Sequence, residues 1–278
     1  MPLRSLLFVP GDRPDRMAKA MGVGADALIL DLEDAVAPDA KPRAREAVAQ
    51  FLAQPRGDVR LFVRINPIDG PLAAEDLAAI VPAQPDGIVL PKAEGLVSLH
   101  ALAARGVTHI PILPIATETP TALFRLHEYA GSSLKLAGLT WGAEDLPAAI
   151  GATTSREADG SYTAPYQLAR SLTLFGAHAA GVAAIETVYP DFRDLEGLAA
   201  YAVRGNRDGF TGMMAIHPAQ VPVINAAFTP SAADLARAQA IIDLFEANPG
   251  AGALQLDGKM VDAPHLKAAL ALRARAVP

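Results

Sequence analysis

With 278 residues, 51% of them hydrophobic, the chain can bury a large core, and a one-domain α/β barrel commonly has this size. No apolar run approaches the ~20 residues of a membrane span, and the charged Arg13-Pro14-Asp15-Arg16 after the first short run does not suit a secretory signal, so the reading is cytoplasmic, with no membrane partner. A net charge of −6 argues against a nucleic-acid partner, the absence of cysteine removes disulfides, thiolate metal sites and a cysteine nucleophile, and six histidines without H-x-x-x-H spacing leave no zinc pattern.

Residues 3–9, stopped by Pro10-Gly11, read as a first strand, and 12–23 as a helix with Met17, Ala18 and Met21 on one face. Residues 27–32 form the second strand, followed by Glu33 and Asp34; 41–52 is a helix. Residues 61–65 are a strand closed by Asn66-Pro67, 72–80 a helix, 87–90 a strand leading to Pro91-Lys92, and 95–105 a helix capped by Gly106. Strands five and six are 112–116 and 136–141, with a helix over 119–130 between them; each is followed by acid, at Glu118 and at Glu144-Asp145. Residues 152–164 read as a loop over the rim, 164–180 as a helix, 182–188 as strand seven and 195–206 as a helix. Strand eight lies within 209–216 and closes at His217-Pro218, and 219–225 begins the last barrel helix. An amphipathic helix at 232–248, a Gly-rich connector at 249–258 and a helix at 264–275 complete the chain.

Strands that are apolar at every position must be buried on both faces, as in a parallel sheet. Eight such strands alternating with eight helical patterns predict an α/β fold, a TIM-type (β/α)8 barrel over residues 1–231. Residues 232–278 are then a C-terminal helical lid that packs on a neighbouring subunit. An open doubly wound sheet would normally carry a Gly-rich phosphate loop, and none is present.

Residues just past the strands form the rim where barrel enzymes keep their chemistry. Here they include Arg13, Asp31, Glu33, Asp34, Arg64, Asn66, Lys92, Glu118, Glu144, Asp145, Glu186 and His217, mostly charged in a chain with 19% charged residues. Any one acid there could simply cap the next helix. Carboxylates without cysteine or grouped histidine select an oxygen-loving ion, and Mg2+ takes one or two of them together with water and substrate. Glu118 and Asp145 suit that role; Glu144 is the adjacent alternative, and sequence does not separate the two. The fork of Arg64 can hold a carboxylate through two parallel hydrogen bonds, pair with Glu33 or Asp34, or do both. Arg4, Arg13, Arg16 and Lys19 make the first loop basic, either for a phosphorylated ligand or as a solvated helix face. Asp262, ahead of Ala263-Pro264, reads as a helix N-cap.

Taken in order, RSLLFVPGDRP (4–14), ALILDLEDAVAPDAK (27–41), VRINP (63–67), GIVLPK (87–92), WGAEDL (141–146), AIETVYPDF (184–192), AIHPAQV (215–221) and GKMVDAPHL (258–266) resemble the CitE-like branch of the HpcH/HpaI aldolase and citrate lyase β-subunit family. That branch includes malyl-CoA and citramalyl-CoA lyases. The resemblance implies a homotrimer or homohexamer that uses Mg2+, with Mn2+ as a substitute, to cleave a 3-hydroxyacyl-CoA reversibly. The products are a 2-oxo acid and acetyl-CoA or a homologue. The resemblance puts the metal on Glu118 and Asp145, the oxo-acid carboxylate on Arg64, and CoA on Phe8, Arg13 and Lys19. Further substrate contacts fall on Thr117, Glu144, Ile216 and His217. Asp262 is the counterpart of an acid that reaches a neighbouring subunit's site as proton donor, or as base in the condensation direction. Glu33 and a metal-bound water are candidates for the base that takes the hydroxyl proton.

One departure bears on this. Relatives often read GFTGK before the AIHP motif, whereas this chain has Gly212-Met213, so a positive charge is missing near the end of strand eight. The competing readings are a citrate lyase β subunit acting on a citryl thioester of an acyl-carrier protein, a class II aldolase on a free hydroxy-oxo acid, and a non-catalytic CoA-binding regulatory barrel.

Overall fold

Short runs of Leu, Ile, Val and Ala can be covered on both faces by closing into a ring within a shell of helices, and this chain does so. The structure, a computed structural model, describes residues 3–276. Strands β1 (Ser5–Pro10), β2 (Ala27–Asp31), β3 (Arg60–Arg64), β4 (Gly87–Leu90), β5 (Ile112–Pro114), β6 (Leu139–Thr140), β7 (Ala184–Glu186) and β8 (Gly212–Ala215) form one parallel sheet. Their order is β5-β4-β3-β2-β1-β8-β7-β6. Parallel bridges Ile112↔Leu136 and Ile115↔Thr140 join the two ends, and the Ala116 N–H donates to the Thr140 carbonyl at 2.8 Å. The expected TIM-type barrel results.

Strand parity sorts the side chains. Leu6, Ile29, Phe62, Val89, Leu113, Ile185 and Met214 point inward and fill the barrel. Their neighbours Leu7, Leu30, Val63, Ile88, Leu139, Ala184 and Met213 point outward into the layer shared with the helices. Gly87 makes room for the Phe62 ring, since a Cβ there would lie 2.2 Å from it. The outer layer is built by α1 (Pro14–Ala20), α2 (Lys41–Leu52), α3 (Ala73–Ile80), α4 (Leu96–Ala104), the short α5 (Pro120–Leu123) and α6 (Asp145–Ile150), then α7 (Ala164–Ala179), α8 (Leu195–Asp208) and α9 (Gln220–Phe228).

Two connections differ from the sequence expectation. Residues 119–130 are not one helix: α5, capped by the Thr119 hydroxyl, stops after a turn, and a 3₁₀ helix spans Leu126–Gly131. Tertiary bonds decide this. Glu128 binds Arg125 and the Leu96 N–H, and the Tyr129 hydroxyl donates to the Ala93 carbonyl. The helix α6 was hidden in the sequence by Pro147, which sits in its first turn, where no N–H is needed.

After the barrel come α10 (Ala232–Glu246), the antiparallel hairpin β9 (Ala253–Leu256) and β10 (Lys259–Asp262), and α11 (Ala263–Ala274). They enclose a core of their own, formed by Ala238, Ile241, Ile242, Val261 and Ala269. The hairpin replaces much of the connector expected at 249–258. Its turn is Asp257-Gly258, both residues left-handed (φ 51° and 75°), as a two-residue hairpin turn requires. Arg275 ties this unit to the barrel, donating from Nη2 to Asn206 Oδ1 at 2.9 Å and to the Phe228 carbonyl at 3.3 Å. Among the described residues, no helix is long and apolar enough to cross a membrane.

Candidate active site

Parity builds the site as well. Toward the carboxyl ends of the strands, the inward positions pass from apolar to mixed: Phe8, Asp31, Arg64, Ile115, Gly142, Thr187, Met214 and Ile216. With Arg16, Asp34, Glu118, Glu144 and Asp145 they line a cavity of about 460 Å³.

Arg64 is the last residue of β3. Its Nε and Nη2 each donate to one oxygen of Asp31, at 2.7 Å, and its Nη1 lies 3.0 Å from Glu33 and 3.6 Å from Asp34. Asp31 is buried and also accepts the N–H groups of Glu33 and Ala35. The anticipated pairing with Glu33 and Asp34 is therefore present, but the stronger fork is with Asp31, one register position across from Arg64 on β2. Nη1 and Nη2 each retain an N–H beyond these bonds, an edge that suits a ligand carboxylate. The Phe8 ring lies 4.8 Å from the guanidinium carbon. Burial disfavours the charge on Arg64; Asp31 and Glu33 more than restore it.

Lys92 carries more of the site than the sequence reading gave it. Its Nζ stands 2.9 Å from Glu33 Oε1 and 3.1 Å from Asp145 Oδ1, while its own N–H donates to Glu118 Oε2. It does this in the left-handed region, at φ 49°, which non-glycine residues seldom adopt. Its sequence signal was slight: a Pro-Lys pair directly after an apolar strand. The ion pairs run continuously from Asp31 through Arg64, Glu33 and Lys92 to Asp145.

Glu118 is buried beneath this chain. Gly142 makes its place, since a Cβ there would meet Glu118 Cγ at 2.4 Å. The Thr117 hydroxyl accepts the Gly142 N–H at 3.3 Å and fixes the same corner. Burial, reinforced by the nearby charge of Asp145, pushes the Glu118 carboxyl up to about 8. Burial also raises Glu33, against the pull of Arg64 and Lys92.

Two carboxylates that repel each other beside a cavity form a donor set that a cation relieves. Among the described residues, no group of three or more His, Cys, Asp or Glu is arranged to hold a metal. The fit is to a hard ion that takes two carboxylates and leaves its other positions to water and substrate. Asp145, at the start of α6, and the buried Glu118 suit it. Glu144, the adjacent alternative, is exposed and lines the same cavity.

The remaining predicted residues divide. Phe8 and Ile216 line the cavity; from the basic loop Arg16 does so, whereas Arg13 is exposed and faces Asp15 at 3.3 Å and Lys19 is exposed. His217 is exposed too, stacked on Phe192 at 4.9 Å, with its Nδ1 accepting the Ala219 N–H. Glu33 lies behind Arg64 and Lys92 rather than in the cavity wall. Asp262 is the α11 N-cap, its Oδ1 2.5 Å from His265 Nδ1, which holds its carboxyl below the usual carboxylate range. It is not part of its own chain's cavity wall.

One rim residue read from sequence, and the position of the missing charge, belong to the outer layer. Glu186 is fully buried and accepts from Trp141 Nε1, the Tyr201 hydroxyl and Arg170 Nε, so it holds helices to the barrel. Met213, its register partner on β8, points the same way. The charge missing at 213 is therefore missing behind the cavity wall, not in it.

The sequence pattern of the HpcH/HpaI aldolase/citrate lyase family matches residues 4–218. Over 270 residues the chain is 38% identical to a citrate lyase subunit beta-like protein of Mycobacterium tuberculosis, covering 97% of this chain and 94% of that one. It is 35% identical over 280 residues to a (3S)-malyl-CoA thioesterase of Cereibacter sphaeroides, covering 99% and 95%. It is 32% identical over 291 residues to the mitochondrial citramalyl-CoA lyase of Homo sapiens, covering 97% and 84%. Among solved structures, CitE of Mycobacterium tuberculosis in complex with magnesium, acetoacetate and coenzyme A superposes with a TM-score of 0.83 at 36% identity, covering 99% of this chain and 97% of that one. With a matching pattern across most of the barrel and relatives that align from end to end, the chain belongs to the HpcH/HpaI aldolase/citrate lyase family.

Proposed function

We propose that this protein is a Mg2+-dependent carbon–carbon lyase that splits a 3-hydroxyacyl-CoA of the citramalyl-CoA or malyl-CoA type into a 2-oxo acid and acetyl-CoA or a homologue. The observation that carries this reading is the placement of the Arg64 fork and the Glu118–Asp145 carboxylate pair on one cavity, joined through Glu33 and Lys92. Relatives whose names include citramalyl-CoA lyase and a CitE structure with magnesium and coenzyme A support it.

Glu118 and Asp145 would hold Mg2+, or Mn2+ in its place, and the bound ion would lower the pKa of the substrate hydroxyl. Arg64, pinned by Asp31, presents its free edge to the oxo-acid carboxylate and fixes the bond to be broken. Loss of the hydroxyl proton breaks the carbon–carbon bond and leaves the oxo acid and a thioester enolate. Glu33 is the candidate protein base for that proton, beside a metal-bound water as the other candidate; lying behind Arg64 and Lys92, it would receive the proton through an intervening water. Asp262 of a neighbouring copy, in a homotrimer or homohexamer, is the acid for the enolate once it has taken up a proton from solvent, which it then passes on. Its ionised state, supported by His265, suits the reverse role of base in condensation. Phe8, Arg16, Ile216 and Thr187 receive the acyl and CoA portions at the cavity, with Arg13, Lys19, Thr117, Glu144 and His217 as further contacts.

The test is to incubate purified protein and Mg2+ with citramalyl-CoA, malyl-CoA and citryl-CoA, following 2-oxo acid and free thiol together. Oxo acid without free thiol marks the lyase. Free thiol without oxo acid marks a thioesterase, the activity named for the Cereibacter sphaeroides relative. Release of neither product from any of the three thioesters sinks the reading. Cleavage of a free hydroxy-oxo acid, or only of an acyl-carrier-protein thioester, transfers it to the aldolase or citrate lyase alternative.

A further inference from the structure

Lys92 serves the site twice over, with its N–H on Glu118 and its ammonium shared between Glu33 and Asp145. Left-handed backbone at a non-glycine residue persists only where the surroundings hold it, and here both ends of the residue are held. A tethering lysine would strengthen metal binding by fixing its ligands, as outer partners of metal ligands usually do. A lysine this close to a ligand oxygen also acts directly on the ion. Its unit charge lies 3.1 Å from Asp145 Oδ1, so it repels any cation that Asp145 holds and draws on the same negative charge.

We propose that Lys92 is the resident counter-ion of the metal site, a positioning residue that keeps Glu33, Glu118 and Asp145 together without metal and lowers the affinity for Mg2+. The inference rests on the Mg2+-dependent reading above. The acids near the site are Asp31, Glu33, Asp34, Glu118, Glu144 and Asp145; the cations are Arg16 on the cavity wall, Arg64 and Lys92. Arg64 forks onto Asp31 and pairs with Glu33, whereas Lys92 pairs with Asp145 itself, so Lys92 is the charge that answers the metal ligands. Mg2+ and Lys92 then compete for one carboxylate. The oxo acid brings its own carboxylate and shifts that balance toward the metal, so metal and substrate are taken up together.

The test titrates MgCl2 into metal-free wild type, Lys92→Met and Lys92→Arg by calorimetry, without substrate. The side chain of Lys92 is one-third exposed, so water screens much of the repulsion, and the expected gain in Mg2+ affinity for Lys92→Met is about tenfold. Lys92→Arg keeps the charge and stays near wild type. Circular dichroism establishes that each variant is folded; Lys92→Gln, which keeps a hydrogen-bond donor, replaces Met if that variant does not fold and is expected to shift the same way. Unchanged or weaker binding in the neutral variants overturns the proposal in favour of a tether. Tighter binding in Lys92→Arg as well overturns it, because charge is then not the cause. Wild type that takes up no Mg2+ removes the functional reading itself, a different failure from either.

Discussion

Two clusters of buried charge stand at the carboxyl end of this barrel, and they do different work. In the outer cluster Glu186 is saturated: Oε1 accepts from Trp141, Tyr201 and the Thr187 N–H, and Oε2 from Arg170, which also pairs with Asp208. The central cavity does not reach it, although its partners Arg170 and Tyr201 line a separate outer cavity of about 250 Å³ with Asp208, and Arg170 Nη2 is buried without a partner among the described residues. In the inner cluster Arg64 keeps an open edge, Asp145 is half-buried, and burial raises Glu118 to about 8 beside a cavity. Saturated charge holds elements together; unsaturated charge on a cavity is available to a ligand. One residue of parity separates the two. Glu186 follows the inward Ile185 and so faces outward, whereas Arg64 follows the outward Val63 and faces in.

That contrast breaks if the two clusters exchange behaviours. The largest effect is expected from Glu118→Gln or Asp145→Asn. Either substitution cuts Mg2+-dependent cleavage by on the order of 10³-fold, since a metal supplies several kcal/mol of transition-state stabilisation. The melting temperature of metal-free Glu118→Gln at neutral pH does not fall, because the wild-type carboxyl must take up a proton to be buried and that opposes folding. Glu186→Gln behaves inversely. Leaving Arg170 without its buried partner costs about 3–5 kcal/mol in denaturant unfolding, while Mg2+ affinity measured by calorimetry stays at the wild-type value.

Two smaller effects sharpen the inner cluster. Arg64→Lys removes the fork but keeps the charge, and the KM for the oxo acid in the condensation direction rises roughly 10- to 100-fold, as expected for loss of about 1.5–3 kcal/mol of charged hydrogen bonding. The pH dependence has a definite sign. Metal-free folded protein keeps the Glu118 proton up to about pH 8, whereas the unfolded chain loses it near 4.5. The metal-free fold therefore loses stability as pH rises through that window. Mg2+ must displace the proton, so its affinity climbs by up to about tenfold per pH unit below about 8 and levels off above. Calorimetry in buffers of different ionisation enthalpy counts the proton released.

Much of the architecture was legible because eight runs of Leu, Ile, Val and Ala stand between turn signals. The same continuity hid the parity. When both faces of a strand are apolar, nothing along 184–186 or 212–215 says which side chain points in, so Glu186 looked like a rim residue and the side on which the charge at Met213 is missing was not evident. Arg64, Glu118 and Asp145 stood out as charges just past apolar runs. Of their links only the pairing of Arg64 with Glu33 and Asp34 did; those through Asp31 and Lys92 did not, because Asp31, Glu33, Arg64, Lys92 and Asp145 come from four different strand ends and meet only on closure. The break at Phe124 was set by bonds to distant residues and had no local signal. The hairpin at 253–262 did have one: Asp257-Gly258 is a favoured two-residue turn, and it was read as part of a connector.

The ring is thinnest where β5 meets β6, strands of three and two residues joined through isolated bridges. Glu118 follows one side of that join and Asp145 the other. An ion shared between them, as the proposed function requires, would be a clasp across the seam of the barrel. Backbone hydrogen bonds close the seam, and the same two side chains that serve the chemistry would reinforce it. Stripping the ion loosens amide exchange first at Ala116 and Ala137, beside the seam, and not across the barrel as a whole.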